Sequence, residues 1–146
     1  MAEGAYGKYS IAQTYALVFG IAYLGVALLE LFFPASDPLQ VGDTVLLARG
    51  TLHNVIHWTV GIAVLGSFAA GPTAARAVAR AVGVVFVAVT LLNVFASNFY
   101  AELVGLGEGA GTPLVYTLVH AVTAAAALYG GFATRSYPHT AAASAR

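Results

Sequence analysis

Cysteine is absent from the 146 residues. Disulfides, thiolate nucleophiles and cysteine-ligated metals are therefore excluded, and thiol usage gives no clue to the redox compartment. Charge is scarce too: six Lys and Arg stand against six Asp and Glu, 8% of the chain. A soluble domain carries roughly a quarter charged residues. This chain cannot cover its surface with polar groups, so its surface must face lipid. The zero net charge argues against a nucleic-acid partner. No nucleophile–base pair, phosphate-binding loop or catalytic signature stands out. No residue is assigned a catalytic role, and an enzyme is the least favoured class.

What the chain does have is hydrophobic length: 60% apolar residues and a mean hydropathy of +0.83. Four spans of about 20 residues use most of it. They are expected over residues 11–33, 46–70, 77–99 and 113–134, as one all-α four-helix membrane domain. The first is too long for a signal peptide, whose apolar region covers only about 7–15 residues, and Pro34 and Pro38 end it. Asp43-Thr44 offers a helix cap, so the second span starts between 44 and 51, and Gly71-Pro72 closes it. Arg76 and Arg80 introduce the third. A glycine-rich acidic loop, 100–111, follows, and Thr112-Pro113 reads as cap and first helical position of the fourth.

Charge sets the orientation. Lys8, Arg76, Arg80, Arg135 and Arg146 fall on one side of a four-span chain, and Arg49 alone on the other, beside Asp37, Asp43, Glu102 and Glu108. The positive-inside rule puts both termini in the cytoplasm, with the chain in the cytoplasmic membrane. Tyr6, Tyr9, Tyr129, Phe132 and Tyr137 mark the inner edge, and Phe32, Phe33, Phe99 and Tyr100 the outer.

The polar residues concentrate in one stretch, Arg49 to Gly61, inside a segment that should be immersed in lipid. There His53 and His57 lie four residues apart on one helix face, with Asn54 on the same flank. An ionisable residue within a span is a functional hypothesis by default. Sliding the chain by 63 residues places Leu28-Leu29-Glu30-Leu31-Phe32 on Leu91-Leu92-Asn93-Val94-Phe95, His57 on His120, Gly20 on Gly83 and Leu65 on Leu128. Two spans per repeat means two parallel halves about an axis along the membrane normal. His57 and His120 are then level, as are Glu30 and Asn93. Counted from Pro113, His120 lies about 10 Å into the bilayer at 1.5 Å per residue. With His53, Asn54, Tyr116, Thr117 and Asn98, these groups form a polar outer half. Gly61, Gly66, Ala124 to Ala127, Gly130 and Gly131 make the inner half small and closely packed.

Asn54-Val55-Ile56-His57, the following Gly61 and the histidine of the second half resemble an actinobacterial four-helix membrane family catalogued only as a domain of unknown function. The resemblance spans about residues 11–134. It implies the four-span topology and no activity.

Three function classes follow. The first is a non-catalytic structural or accessory subunit, whose partners are the lipid bilayer and other membrane subunits or further copies of itself. Small size and the lack of extramembrane domains favour it. The second is an intramembrane cofactor binder. His57 and His120 would ligate a haem or chlorophyll-type ring, or a divalent metal would be held by His53, His57, His120 and Glu30, with Asn54, Asn93, Tyr116 and Thr117 as polar support. The third is transport of a small solute or proton, for which no broken helix or charged path is evident.

Overall fold

The computed structural model describes residues 9–33, 40–41, 44–45, 50–106 and 112–133. Helix α1, Ile11–Phe32, starts on a capping box. Ser10 Oγ accepts from the Gln13 amide, and the Gln13 side chain accepts from the Ser10 amide. Strands β1 (Gln40–Val41) and β2 (Thr44–Val45) pair antiparallel. Thr44 is thus in a strand rather than a helix cap, and α2 runs Thr51–Ala70, its start at the late end of the expected 44–51 window. Helix α3, Pro72–Phe95, follows after the single residue Gly71. Gly71 has φ +102°, a left-handed backbone conformation in which a side chain is strained. Pro72 occupies the first helical turn, where a missing N–H costs nothing. The third span therefore begins at Pro72 rather than at the expected residue 77, with Arg76 inside it and not ahead of it. Both arginines ride in its opening turns, the Arg80 Nε donating to Gly131 O (2.8 Å) and its guanidinium lying over the Phe132 ring.

Part of the expected loop 100–111 is a helix: α4, Ser97–Val104, buries Tyr100, Ala101 and Val104 and ends at left-handed Gly105. Tyr100 is therefore core and does not belong to an interfacial belt. Helix α5, Leu114–Phe132, completes the chain. Thr112 does not cap it. Its amide donates to Ser97 Oγ and its hydroxyl to Ser97 O, tying the loop back to α4. Asp37, Asp43, Arg49, Glu108, Lys8, Arg135, Arg146, Tyr6 and Tyr137, on which orientation and edge arguments rested, lie outside the described residues.

Helices α1, α2, α3 and α5 are each long and apolar enough to cross a bilayer, and most of each faces outward. The chain is an all-α, four-helix integral membrane protein. Outward-facing Leu, Val and Phe side chains have lipid as their natural solvent.

The 63-residue repeat appears in the packing. Buried Ala12, Ala16, Gly20 and Tyr23 of α1 correspond to buried Ala75, Ala79, Gly83 and Phe86 of α3. Gly61, Val64 and Ser67 of α2 correspond to Ala124, Ala127 and Gly130 of α5. A Cβ on Gly20 would lie 2.8 Å from Leu65, and one on Gly83 2.7 Å from Leu128, the same contact in each half. Tyr23 and Phe86 stack on each other with centroids 5.8 Å apart, as equivalent residues do where a two-fold axis passes. Gly130 abuts Tyr15 and Gly131 abuts Arg80, so the bundle is close-packed at the end that holds the α2–α3 turn, where small residues were expected to pack. Gly66 is the exception: it is exposed, with nothing within 4 Å of a Cβ placed there.

Candidate metal centre

The last full turn of α1 carries Glu30, and the first two turns of α2 carry His53, Asn54 and His57. Helical spacing puts the two histidines on one face, and the α1–α2 packing turns that face toward Glu30. One carboxylate oxygen, Oε1, accepts from His53 Nδ1 at 2.8 Å and from His57 Nδ1 at 3.1 Å. The other, Oε2, accepts from Asn54 Nδ2 at 2.8 Å, and the same amide donates to Ala27 O at 3.0 Å. These side chains are close to fully buried: 6% exposed for Glu30, 7% for His53 and 12% for His57. The imidazole rings meet edge to face, 4.2 Å between centroids.

A buried carboxylate without partners costs several kcal/mol. Here three donors surround it, and Asn54 fixes its plane against the α1 backbone. Glu30, His53 and His57 each offer one ligand atom, all within 4.8 Å of one another. Two imidazoles and one carboxylate on one face form a ligand set suited to divalent first-row metals. At bond lengths near 2.1 Å, ligand atoms at right angles about a metal lie roughly 3 Å apart. The 2.8 and 3.1 Å spacings match that edge as well as they match hydrogen bonds.

The second half carries the counterpart. At the repeat offset Glu30 becomes Asn93, His53 becomes Tyr116, His57 becomes His120 and Asn54 becomes Thr117. Asn93 Nδ2 donates to His120 Nδ1 at 2.7 Å, and Asn93, Tyr116 and His120 are all buried. His57 lies beside Tyr23 (6.5 Å between ring centroids) as His120 lies beside Phe86 (5.5 Å). Tyr100 of α4 meets the His120 ring edge-on at 5.8 Å, and burial pushes its phenol up to a pKa of about 12. Asn93 Oδ1 is buried with no hydrogen-bond partner among the described residues.

Both histidine sites reach one cavity of about 490 Å³. Its polar lining includes His53, His57, Tyr116, His120, Tyr23 and Thr123, and its apolar lining comes mainly from α1 and α5. Of the polar residues expected to cluster, His53, His57, Tyr116 and His120 line the cavity, and Glu30, Asn54 and Asn93 are hydrogen-bonded behind them. Two stand apart. Asn98 is exposed on α4, and Thr117 is half-buried outside the cavity lining. Sequence reasoning equated Glu30 with Asn93 and His57 with His120. It did not bring both histidines of α2 to one oxygen atom. The match of His53 with Tyr116 was open to the same 63-residue offset and went unused.

Comparison with family models, curated proteins and solved structures finds no match for this chain.

Proposed function

We propose that the protein is an intramembrane metal-binding protein that holds a divalent transition-metal ion between Glu30, His53 and His57. The site lies in the outer half of the cytoplasmic membrane, with both termini in the cytoplasm. The observation that carries this reading is the contrast between the two halves. The second half shows what packing requires at this position: one histidine and one amide, joined by a single hydrogen bond. The first half holds the same helices together with a carboxylate and two histidines on one oxygen. Polar contacts between membrane helices average only about 0.6 kcal/mol. Packing alone gives little reason to bury an acid and a second imidazole. Asn54 on the outer carboxylate oxygen is the kind of supporting contact that orients metal ligands.

The family resemblance in Asn54-x-x-His57 bears on the four-span topology and carries no activity of its own. The accessory-subunit reading rests on composition alone, and no particular contact favours it. For a ring ligated by His57 and His120 together, Tyr23 and Phe86 already stack on the repeat axis beside both histidines, in the space such a ring would need.

The test is metal content by plasma mass spectrometry, with an absorption spectrum, on detergent-purified wild type, His57→Gln and Glu30→Gln. Near-stoichiometric metal in the wild type, lost in both variants while the fold is kept, is the expected result. Gln keeps hydrogen-bonding capacity but is a far poorer ligand than imidazole or carboxylate. Metal-free wild type after growth in metal-replete medium would sink the proposal. A Soret band lost with His57→Gln would replace the metal with a haem.

A further inference from the structure

The cavity has features that the metal reading leaves unused. On the α1 side it is lined by Phe19, Ala22 and Val26, and on the α5 side by Val115, Val119 and Val122. Val119 and Val122 are more than half exposed, on a helix long and apolar enough to span the membrane. The cavity mouth therefore lies between α1 and α5 and opens sideways into the bilayer. Molecules dissolved in lipid have a direct route to it.

Its interior selects further. Among the described residues no lysine or arginine lines it, so a phosphate headgroup has no cationic side chain of the wall to pair with. Tyr23 and Phe86, stacked at 27°, offer aromatic surface against which a flat ring packs well. Hydrogen bonding sets the remaining requirement. Because Asn93 donates its amide N–H to His120 Nδ1, the neutral His120 ring carries its proton on Nε2 and is a donor there. Where a metal takes Nδ1 of His57, that ring also carries its proton on Nε2. Thr123 adds a hydroxyl to the wall. A neutral flat ring that accepts hydrogen bonds meets all three conditions.

We infer that the cavity between α1 and α5 binds a neutral quinone-type ring lipid, entering from the bilayer, with a ring carbonyl accepting from His120. The inference goes beyond metal binding and rests on it only for the second donor, His57. The His120 contact stands without the metal. A volume of about 490 Å³ suits a substituted ring and the first part of its chain, within the roughly 300–1,000 Å³ of small-molecule sites.

The experiment uses the full chain in phosphatidylcholine nanodiscs, titrated with a benzoquinone bearing two isoprene units. Quenching of Trp58, the only tryptophan, and the amount of co-purified quinone report binding. Saturable binding is expected. His120→Phe should weaken it about tenfold, the order of one lost hydrogen bond in a buried site, and His120→Gln should restore part of it. Val119→Phe, made at a lipid-exposed position that folding does not depend on, should close the mouth and abolish binding. Non-saturable quenching, or equal binding by wild type, His120→Phe and Val119→Phe, overturns the proposal. Displacement of the quinone by an equal concentration of oleate overturns the ligand class, because the cavity would then be reading a chain and not a ring. Metal content measured on the same samples separates the two proposals. Quinone binding without metal sinks only the metal centre, and metal without quinone sinks only the ring site.

Discussion

Replacing Gly20 by alanine tests whether the α1–α2 contact depends on the absence of a side chain. The new Cβ would sit 2.8 Å from the Leu65 Cβ, 2.8 Å from its amide nitrogen and 2.9 Å from its Cα. Carbon atoms are comfortable at about 3.5–4.0 Å, so the helices must part by roughly 0.6–1 Å. Backbone cannot swing aside as a flexible side chain does. Overpacking of this kind costs about 1–3 kcal/mol. Against it stands the better helix propensity of alanine, at most about 1 kcal/mol. A net loss of about 1–2 kcal/mol is expected, or about 5- to 30-fold in the folding equilibrium. Gly66→Ala is the control on the same pair of helices. Nothing lies within 4 Å of its Cβ, so only the propensity gain remains and stability should rise slightly. Gly83→Ala should fall between them, since its nearest neighbours are the Leu128 Cδ2 and Cγ, which can rotate in part. The assay is reversible unfolding in mixed micelles with a rising fraction of dodecyl sulfate, followed by circular dichroism. If Gly20→Ala proves as stable as Gly66→Ala, the close approach of α1 and α2 is wrong.

Two further outcomes check the frame. With no native cysteine, Gly109→Cys gives a clean label, and a membrane-impermeant maleimide should reach it from outside intact cells. Labelling only after the cytoplasmic face is exposed would reverse the orientation. Glu30→Leu should cost more than Asn93→Leu in the same unfolding assay. The first strands three donors, and the second breaks one bond and removes an unpartnered oxygen, for about 0.6 kcal/mol. Equal losses would mean that the two halves use their polar groups alike.

Much of this arrangement was legible because lipid simplifies the code. A span must be long and apolar, and a buried ionisable group must face inward, so four helices and the matching of Glu30 with Asn93 and of His57 with His120 could be read from spacing and the repeat, while which acid or amide bonds which histidine could not. Boundaries were harder where one residue pair serves two elements. Gly71-Pro72 reads as the end of α2, and it is equally the start of α3, because proline is welcome in a first turn. Arg76 suggested that the span starts only after it, yet long side chains at a helix end can reach the membrane edge or a neighbouring backbone, as Arg80 does with Gly131. The sharing of Glu30 Oε1 by two histidines depends on the rotation of α1 against α2 to within a fraction of a turn. Side-chain spacing along one helix does not carry that information. Gly66 shows the converse: small residues permit close contact, and whether a neighbour takes the space is decided elsewhere.

The single-residue connection at Gly71 has a mechanical consequence. The start of α1 and the end of α2 are joined by Gln13 Nε2 to Phe68 O and by Tyr9 against Phe68, and the halves meet there through Tyr15 on Gly130. No slack exists at that edge for the halves to slide or separate. At the opposite end the Gly50 amide donates to Val104 O (2.9 Å), so the halves α1–α2 and α3–α5 are pinned at both ends, like a door on two hinges. A swing about the line joining these two pins leaves Glu30–His57 and Asn93–His120 intact, since both members of each pair belong to the same half.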